Sequence, residues 1–431
     1  MESFTQAGAP DRRGELARPR LFRGRRSASG SARPPRKATD RDFRLFWWAN
    51  AADALGTQAS GVVLPLLLLS LGHSPQTAGL VAGLSVGSGL LLGPLAAVPA
   101  DRGARKTIMF WSALVAALAM GSVALALFLG RLTLAHLLAA VAVERFCTAC
   151  HDAASRGTVV LLCPPDGQPR AVARLAAADQ GALVVGPVLG GAAYQLLRAL
   201  PFLADALSYA FAALCVRAMR TDLKASAAHS GDGLLREAAA GLRLVRGHPL
   251  LRLVLVWIAL VNGVAVTLYY CTLFALERSD SGALPIGLVL AVTGAAGLAG
   301  SLAAPRAAVR LGAARVLVAA TWLLVPLTAA LALADGPWSY GILLGALSLL
   351  IPLPAIVLQS RALLATRPEL QARAGAVLAT VSGTAAALAP ALAGLLTDGA
   401  AAAAPALGCA ALLTLLALHT TRRAGLVGAA A

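Results

Sequence analysis

Two uncharged stretches, 76–100 and 107–130, separated only by Asp101-Arg102-Gly-Ala-Arg105-Lys106, constrain this chain more than anything else in it. A helix of about 20 apolar residues spans the hydrocarbon core of a bilayer, and each stretch exceeds that length. The cationic hexapeptide then reads as a tight loop between two membrane helices. The pattern recurs. Hydrophobic residues make up 58% of the chain and charged ones 13%, against about 25% charged in soluble domains. About twelve apolar segments can be marked, near 44–70, 77–100, 107–129, 132–154, 171–197, 201–219, 252–276, 284–304, 315–334, 338–359, 374–396 and 402–420. The expectation is an all-α polytopic membrane protein.

Lysine and arginine orient it, because cytoplasmic loops retain them and exported loops shed them. With the N-terminus inside, 32 of the 37 fall on the cytoplasmic side. Only Arg131, Arg198 and Arg278 lie in outer loops, while Arg145 and Arg156 belong to the fourth segment. Both termini are therefore expected in the cytoplasm and the helix count is even. This asymmetry accounts for the net charge of +17 without a nucleic-acid partner, whose basic patch would need a soluble face.

Residues 1–41 are rich in Arg, Ser, Gly and Pro and read as a disordered cytoplasmic tail. Neither Arg12-Arg13 nor Arg25-Arg26 leads into an apolar core with a small-residue cleavage site, so a signal peptide is not expected. Residues 220–250 form a polar cytoplasmic loop between two six-helix halves, 42–219 and 251–421, and 422–431 a short inner tail. Gly93-x-Leu-Ala-Ala and Gly300-x-Leu-Ala-Ala stand at equivalent places in the two halves, a short sign of duplication.

The hexapeptide resembles motif A of the major facilitator superfamily, Gly-x-x-x-Asp-Arg-x-Gly-Arg-Lys, with Ala97 and Ala104 in place of its glycines. The resemblance covers nearly all of 42–423 and implies that fold. It also implies that Asp101 sits against the N-terminal end of the eleventh helix while Arg102, Arg105 and Lys106 pair nearby, a gating arrangement. A plain positive-inside loop would have the same charges. Gly186-Pro187-Val-Leu-Gly190-Gly191 in the fifth segment resembles motif C of the antiporter branches, although any glycine-rich membrane helix packs closely. Phe202-Leu-Ala-Asp205-Ala-Leu-Ser208-Tyr, the stretch Gly241 to Arg252 and Leu358-Gln359-Ser360 are similar to the subgroup of drug and siderophore exporters, which includes enterobactin and macrolide exporters. Lysophospholipid transporters belong to the same broad group.

Polar residues inside apolar helices are costly and invite a functional reading. On the fourth segment Glu144, Arg145, Thr148, His151, Asp152, Ser155 and Arg156 fall on one side at 100° per residue, which predicts one wet face. The family resemblance places that helix beside a central cavity. On the first segment Asn50, Asp53, Thr57 and Gly61 recur every three to four residues. Asp53 or Glu144 is the expected proton-coupling acid, with a static ion pair to Arg145 as the other reading. Asp179, near the inner third of its segment, and Asp205, near the outer end of its own, are weaker candidates.

Cys147-Thr-Ala-Cys150-His151 spells a haem-attachment pattern in a context that refuses it, and the other cysteines lack ligand spacing. No metal, no cofactor and no enzymatic activity are expected, since no nucleotide-binding or hydrolytic motif occurs. The reading is a secondary transporter of the plasma membrane. It exports a small amphiphilic molecule in exchange for protons, sodium being the other coupling ion, and a monomer is the expected unit. Uptake, lysophospholipid transport, or a non-transporting receptor or scaffold are the alternatives.

Overall fold

A computed structural model describes residues 36–101, 105–156, 158–221, 223, 242–279, 282–399 and 403–428. In hydrocarbon every backbone N–H and C=O must be satisfied by the protein, and uninterrupted apolar runs of about 20 residues do so as helices. The long helices are α1 (Arg36–Ser70), α2 (Pro75–Asp101), α3 (Arg105–Phe128), α4 (Leu134–Arg156), α5 (Gln168–Leu196) and α6 (Leu200–Ala218). They continue with α7 (Pro249–Arg278), α8 (Ala283–Leu311), α9 (Ala313–Ala330), α10 (Gly336–Leu364), α11 (Pro368–Gly399) and α12 (Ala404–Arg423). Among the described residues, 10 helices are long and apolar enough to cross a membrane. The other two are long enough: α2 has 27 residues, some of its side chains outside the description, and α4 has 23 and carries buried charge.

Boundaries follow local chemistry. Proline opens α6, α7 and α12 in the first turn, where a missing N–H costs nothing. Gly312, at φ +84°, turns the chain from α8 into α9 in a single residue, a conformation that an L side chain resists. The expected single segment 338–359 is broken in the structure: α10 runs from Gly336 to Leu350, then restarts at Pro352, whose ring cannot continue the hydrogen-bond ladder.

Helix packing groups α1–α6 and α7–α12. Within the first group α1 lies on α5 and α6, and α3 on α4 and α6; within the second α7 lies on α11, α8 on α10, and α9 on α12. Two seams join the groups, α2 on α11 and α5 on α8. Both are built from small residues, which let backbones approach in the absence of a hydrophobic drive between helices. A methyl group added at Gly79 or Gly83 would strike the carbonyls of Pro390 or Ala387, and one at Gly287 the carbonyl of Pro187.

The seams close at the end that carries the α1–α2, α5–α6, α7–α8 and α11–α12 turns. There Phe274 of α7, fully buried, packs among Val63, Leu67 and Ala393, and Ser70 Oγ and Tyr194 Oη are 2.9 Å apart. Toward the end that carries the basic loops, a methyl group at Gly89 of α2, Gly181 of α5 or Gly375 of α11 would meet nothing within 4 Å. The closest glycine contacts of the two seams thus lie away from the basic end.

At that end Asp42 at the start of α1 is buried and its Oδ2 accepts from the Arg220 and Thr221 backbone N–H groups at 2.9 and 2.7 Å and from Thr221 Oγ1 at 2.6 Å. This carboxylate ties α1 to the chain leaving α6.

Candidate functional site

Six helices, α1, α2, α3, α4, α6 and α7, bring residues to a recess of about 200 Å³. Its charged wall comes from α4. Glu144 is 2% exposed and Arg145 24%, and they form a two-pronged ion pair, Arg145 Nε to Oε2 at 2.5 Å and Nη2 to Oε1 at 2.8 Å. Glu144 Oε1 also accepts from Tyr209 Oη of α6 at 2.6 Å and from Thr148 Oγ1 at 3.1 Å. Four donors thus hold Glu144 as a satisfied anion, the condition under which a buried carboxylate keeps its charge. Tyr209 Oη stands 3.1 Å from Thr57 Oγ1, which extends the network to α1.

A second carboxylate lies behind the α1 wall. Asp205 of α6 is 0% exposed; its Oδ2 accepts from Ser60 Oγ at 2.6 Å, and its Oδ1 has no partner. Gly56 creates the space, because a methyl group there would run into Asp205 Oδ1 and Ser208 Oγ.

The recess adjoins a larger cavity of about 570 Å³, with which it shares the walls Gln58, Val62, Val86, Tyr269 and Tyr270. Most of its lining comes from α7, α8 and α10, among them Val261, Leu290, Leu344 and Leu347, and none of its lining residues is charged. One side of the joined cavity therefore carries an ion pair and the other is apolar, a division suited to a molecule with a small polar end and a larger apolar body.

A third space of about 320 Å³, toward the basic end, is lined by Asn50, Asp53, Asp152, Ser155 and Asp179. The candidates expected on one wet face of α4 are thus divided. Glu144 and Arg145 line the recess and Thr148 donates to Glu144 behind it, Asp152 and Ser155 line the acidic space, and buried His151 lines neither. The Arg156 side chain lies outside the described residues. Arg145 pairs with its neighbour Glu144, not with Asp53. Asp205 lies near the N-terminal end of α6, as expected, and is fully buried between α6 and α1.

The glycine motif of α5 divides its faces. A methyl group at Gly186 or Gly190 would strike Gln58 or Ala59 of α1, and one at Gly191 the carbonyl of Ala283 on α8; Pro187 turns its own carbonyl toward Gly287. The fifth helix is therefore wedged between α1 and α8, touching both groups of helices at once.

The family comparison decides the class. The model of the Major Facilitator Superfamily matches residues 46–390. The chain belongs to this superfamily. Solved structures share its fold across both chains. A bacterial homologue of the human lysosomal transporter Spinster, inward-facing and unoccupied, is 15% identical, with TM-score 0.66, 91% of this chain covered and 96% of that one. A bacterial homologue of the iron transporter ferroportin, inward-facing, is 16% identical, with TM-score 0.69 and 88% and 98% covered. The human organic anion transporter MFSD10 (TETRAN) is 20% identical, with TM-score 0.61 and 90% and 100% covered. Among curated proteins none matches.

As a member of the superfamily the chain is a multi-pass secondary transporter and not an enzyme. In motif A the Asp101 side chain and Arg102 lie outside the described residues. Lys106 is described, and its Nζ donates to the Met219 carbonyl at the end of α6 at 2.5 Å, while Arg217 places its guanidinium 5.9 Å from the Phe110 ring centroid. Lys106 thus caps a helix C-terminus within its own group of six, a favourable place for a cation.

Tyr209 and Ser60 are the site residues that sequence reasoning missed. A signal existed: Asp205, Ser208 and Tyr209 stand at i, i+3 and i+4, a polar stripe on an otherwise apolar helix.

Proposed function

We propose that this transporter exports a small amphiphilic molecule across the plasma membrane in exchange for protons, by alternating access. The observation that carries the reading is the concentration of buried carboxylates, Glu144 and Asp205, on the α1–α6 side of a cavity whose other side is uncharged. An ionisable group at membrane depth is expensive unless it works, and a carboxyl that can gain and lose a proton supplies the coupling. The apolar side supplies the binding surface for the substrate body. In this reading the basic loops and both termini face the cytoplasm, as the distribution of Lys and Arg favours, so the cavity opens inward. Residues 42–219 act as one half, 251–421 as the other, and 220–250 as the linker between them. The glycines of α5 and the motif A loop govern how the halves rock.

The likeness of Asp205-Ala-Leu-Ser208-Tyr209 and its neighbours to drug and siderophore exporters favours export and an amphiphilic natural product as substrate. In inverted membrane vesicles with an acid lumen, a panel of antibiotics, siderophores and lysolipids is expected to include a compound that collapses the pH gradient. E144Q is expected to abolish that collapse, whereas D53N, in the open acidic space, is expected to weaken it. Flux driven by a sodium gradient alone would replace the proton, and flux only in the opposite direction would replace export with uptake.

A further inference from the structure

We propose that Asp205, reached through the Ser60 hydroxyl, is the carboxyl that carries the transported proton, and that Glu144 stays ionised throughout. The assignment rests on the antiport reading above and names its acid.

The two carboxylates differ in how they are satisfied. Glu144 holds four hydrogen bonds, two of them from Arg145. Protonating it would break the ion pair and leave a guanidinium in the membrane without its counter-charge, a costly state. Asp205 has Ser60 as the donor to its Oδ2; the Ser208 hydroxyl stands beside it but donates to the Asp205 backbone carbonyl, and Oδ1 is buried with no partner. An ionised carboxylate with an orphan oxygen in a buried setting is poorly stabilised, and a proton on the carboxyl, taken up at Oδ2 where Ser60 bonds it, removes the charge. Glu144 and Arg145 of α4, Asp53 of α1 and Tyr209 of its own helix are the ionisable groups around it. The charged residues of α3 lie at its start and those of α5 before Gln180, whereas Gly121 is the part of α3 that lies against Ala206.

Ser60 makes the route. It lines the recess on one side and donates to Asp205 on the other. A proton arriving from the recess bonds to Ser60 Oγ as the original hydroxyl proton passes to Asp205 Oδ2; release runs through the same atoms in reverse. No covalent intermediate and no redox partner is needed. The charge so gained or lost lies at the α1–α6 contact opposite Gly56, beside a helix that α5 and α7 also touch.

Infrared difference spectroscopy on the purified protein tests this without a known substrate. Lowering the pH is expected to raise a C=O band at the high frequency of a buried carboxyl, apart from the bands of water-exposed acids, in the native protein, in E144Q and in D53N, and not in D205N. Should D205N fail to fold, S60A serves: its band is expected at higher frequency, because the carboxyl loses a hydrogen bond. A band that survives in D205N, is lost in E144Q, or is unmoved in S60A overturns the assignment. The parent reading fails separately: a band lost in D205N with no compound driving proton flux in native vesicles leaves Asp205 as a proton site and removes antiport.

Discussion

Glu144 shows how one residue makes a membrane-buried charge tolerable. Its donors come from its own helix and from α6, so the pair with Arg145 is fixed from two directions. Tyr209→Phe removes one of them and should cost about 1 kcal/mol, read as a lower unfolding temperature in detergent. E144A leaves Arg145 unpaired and should cost about 3–5 kcal/mol, with E144Q between the two; equal stability of E144A and the native protein would mean the ion pair holds nothing together. Much of this was legible in the chain, since Glu144, Arg145 and Thr148 share a helical face and acids are rare in apolar runs. Tyr209 was not, because a tyrosine in an apolar helix is ordinary core until its hydroxyl is seen to have a partner. For Asp205 the linear position near the N-terminal end of α6 agrees with the structure, but it says nothing of what the neighbouring helix presents, and here that is Gly56 and Ser60.

At the scale of helices, the glycines of α5 do two jobs by facing two ways. Gly190 lies on the backbone of α1, so Gly190→Leu should push the helices apart and lower the unfolding temperature and the yield of folded protein. Gly181→Leu, one helix turn beyond the motif toward open space, should be neutral. Comparable losses in both variants would show that any bulk on α5 is harmful and that no specific seam exists. Asp42 is the corresponding tie at the basic end. D42A strips three hydrogen bonds from the segment after α6 and should expose it to limited proteolysis, while leaving the Glu144 network intact. Glycine spacing announced that close packing would occur, yet which helix each face would meet depends on the arrangement of all twelve. The break in α10 was foreseeable from Pro352 and Pro354 only once a helix was known to need both sides of it.

Across the whole molecule, charge and apolarity are unevenly shared. The interior acids and Arg145 belong to α1, α4, α5 and α6, whereas the larger cavity on α7, α8 and α10 is uncharged. In the proposed reading the proton is held on the α1–α6 side and the substrate on the α7–α12 side, and the seams between the two groups decide which way the cavity opens. If the proton governs that opening, the separation of the two groups of helices must respond to pH with no substrate present. Spin labels at Gly89 of α2 and Gly375 of α11, both in open space near the basic end, report it through their mutual distance. The account predicts a distance distribution that shifts between acid and neutral pH in the native protein and stays fixed in D205N. A native distribution indifferent to pH, or a D205N protein that shifts as the native one does, would contradict it.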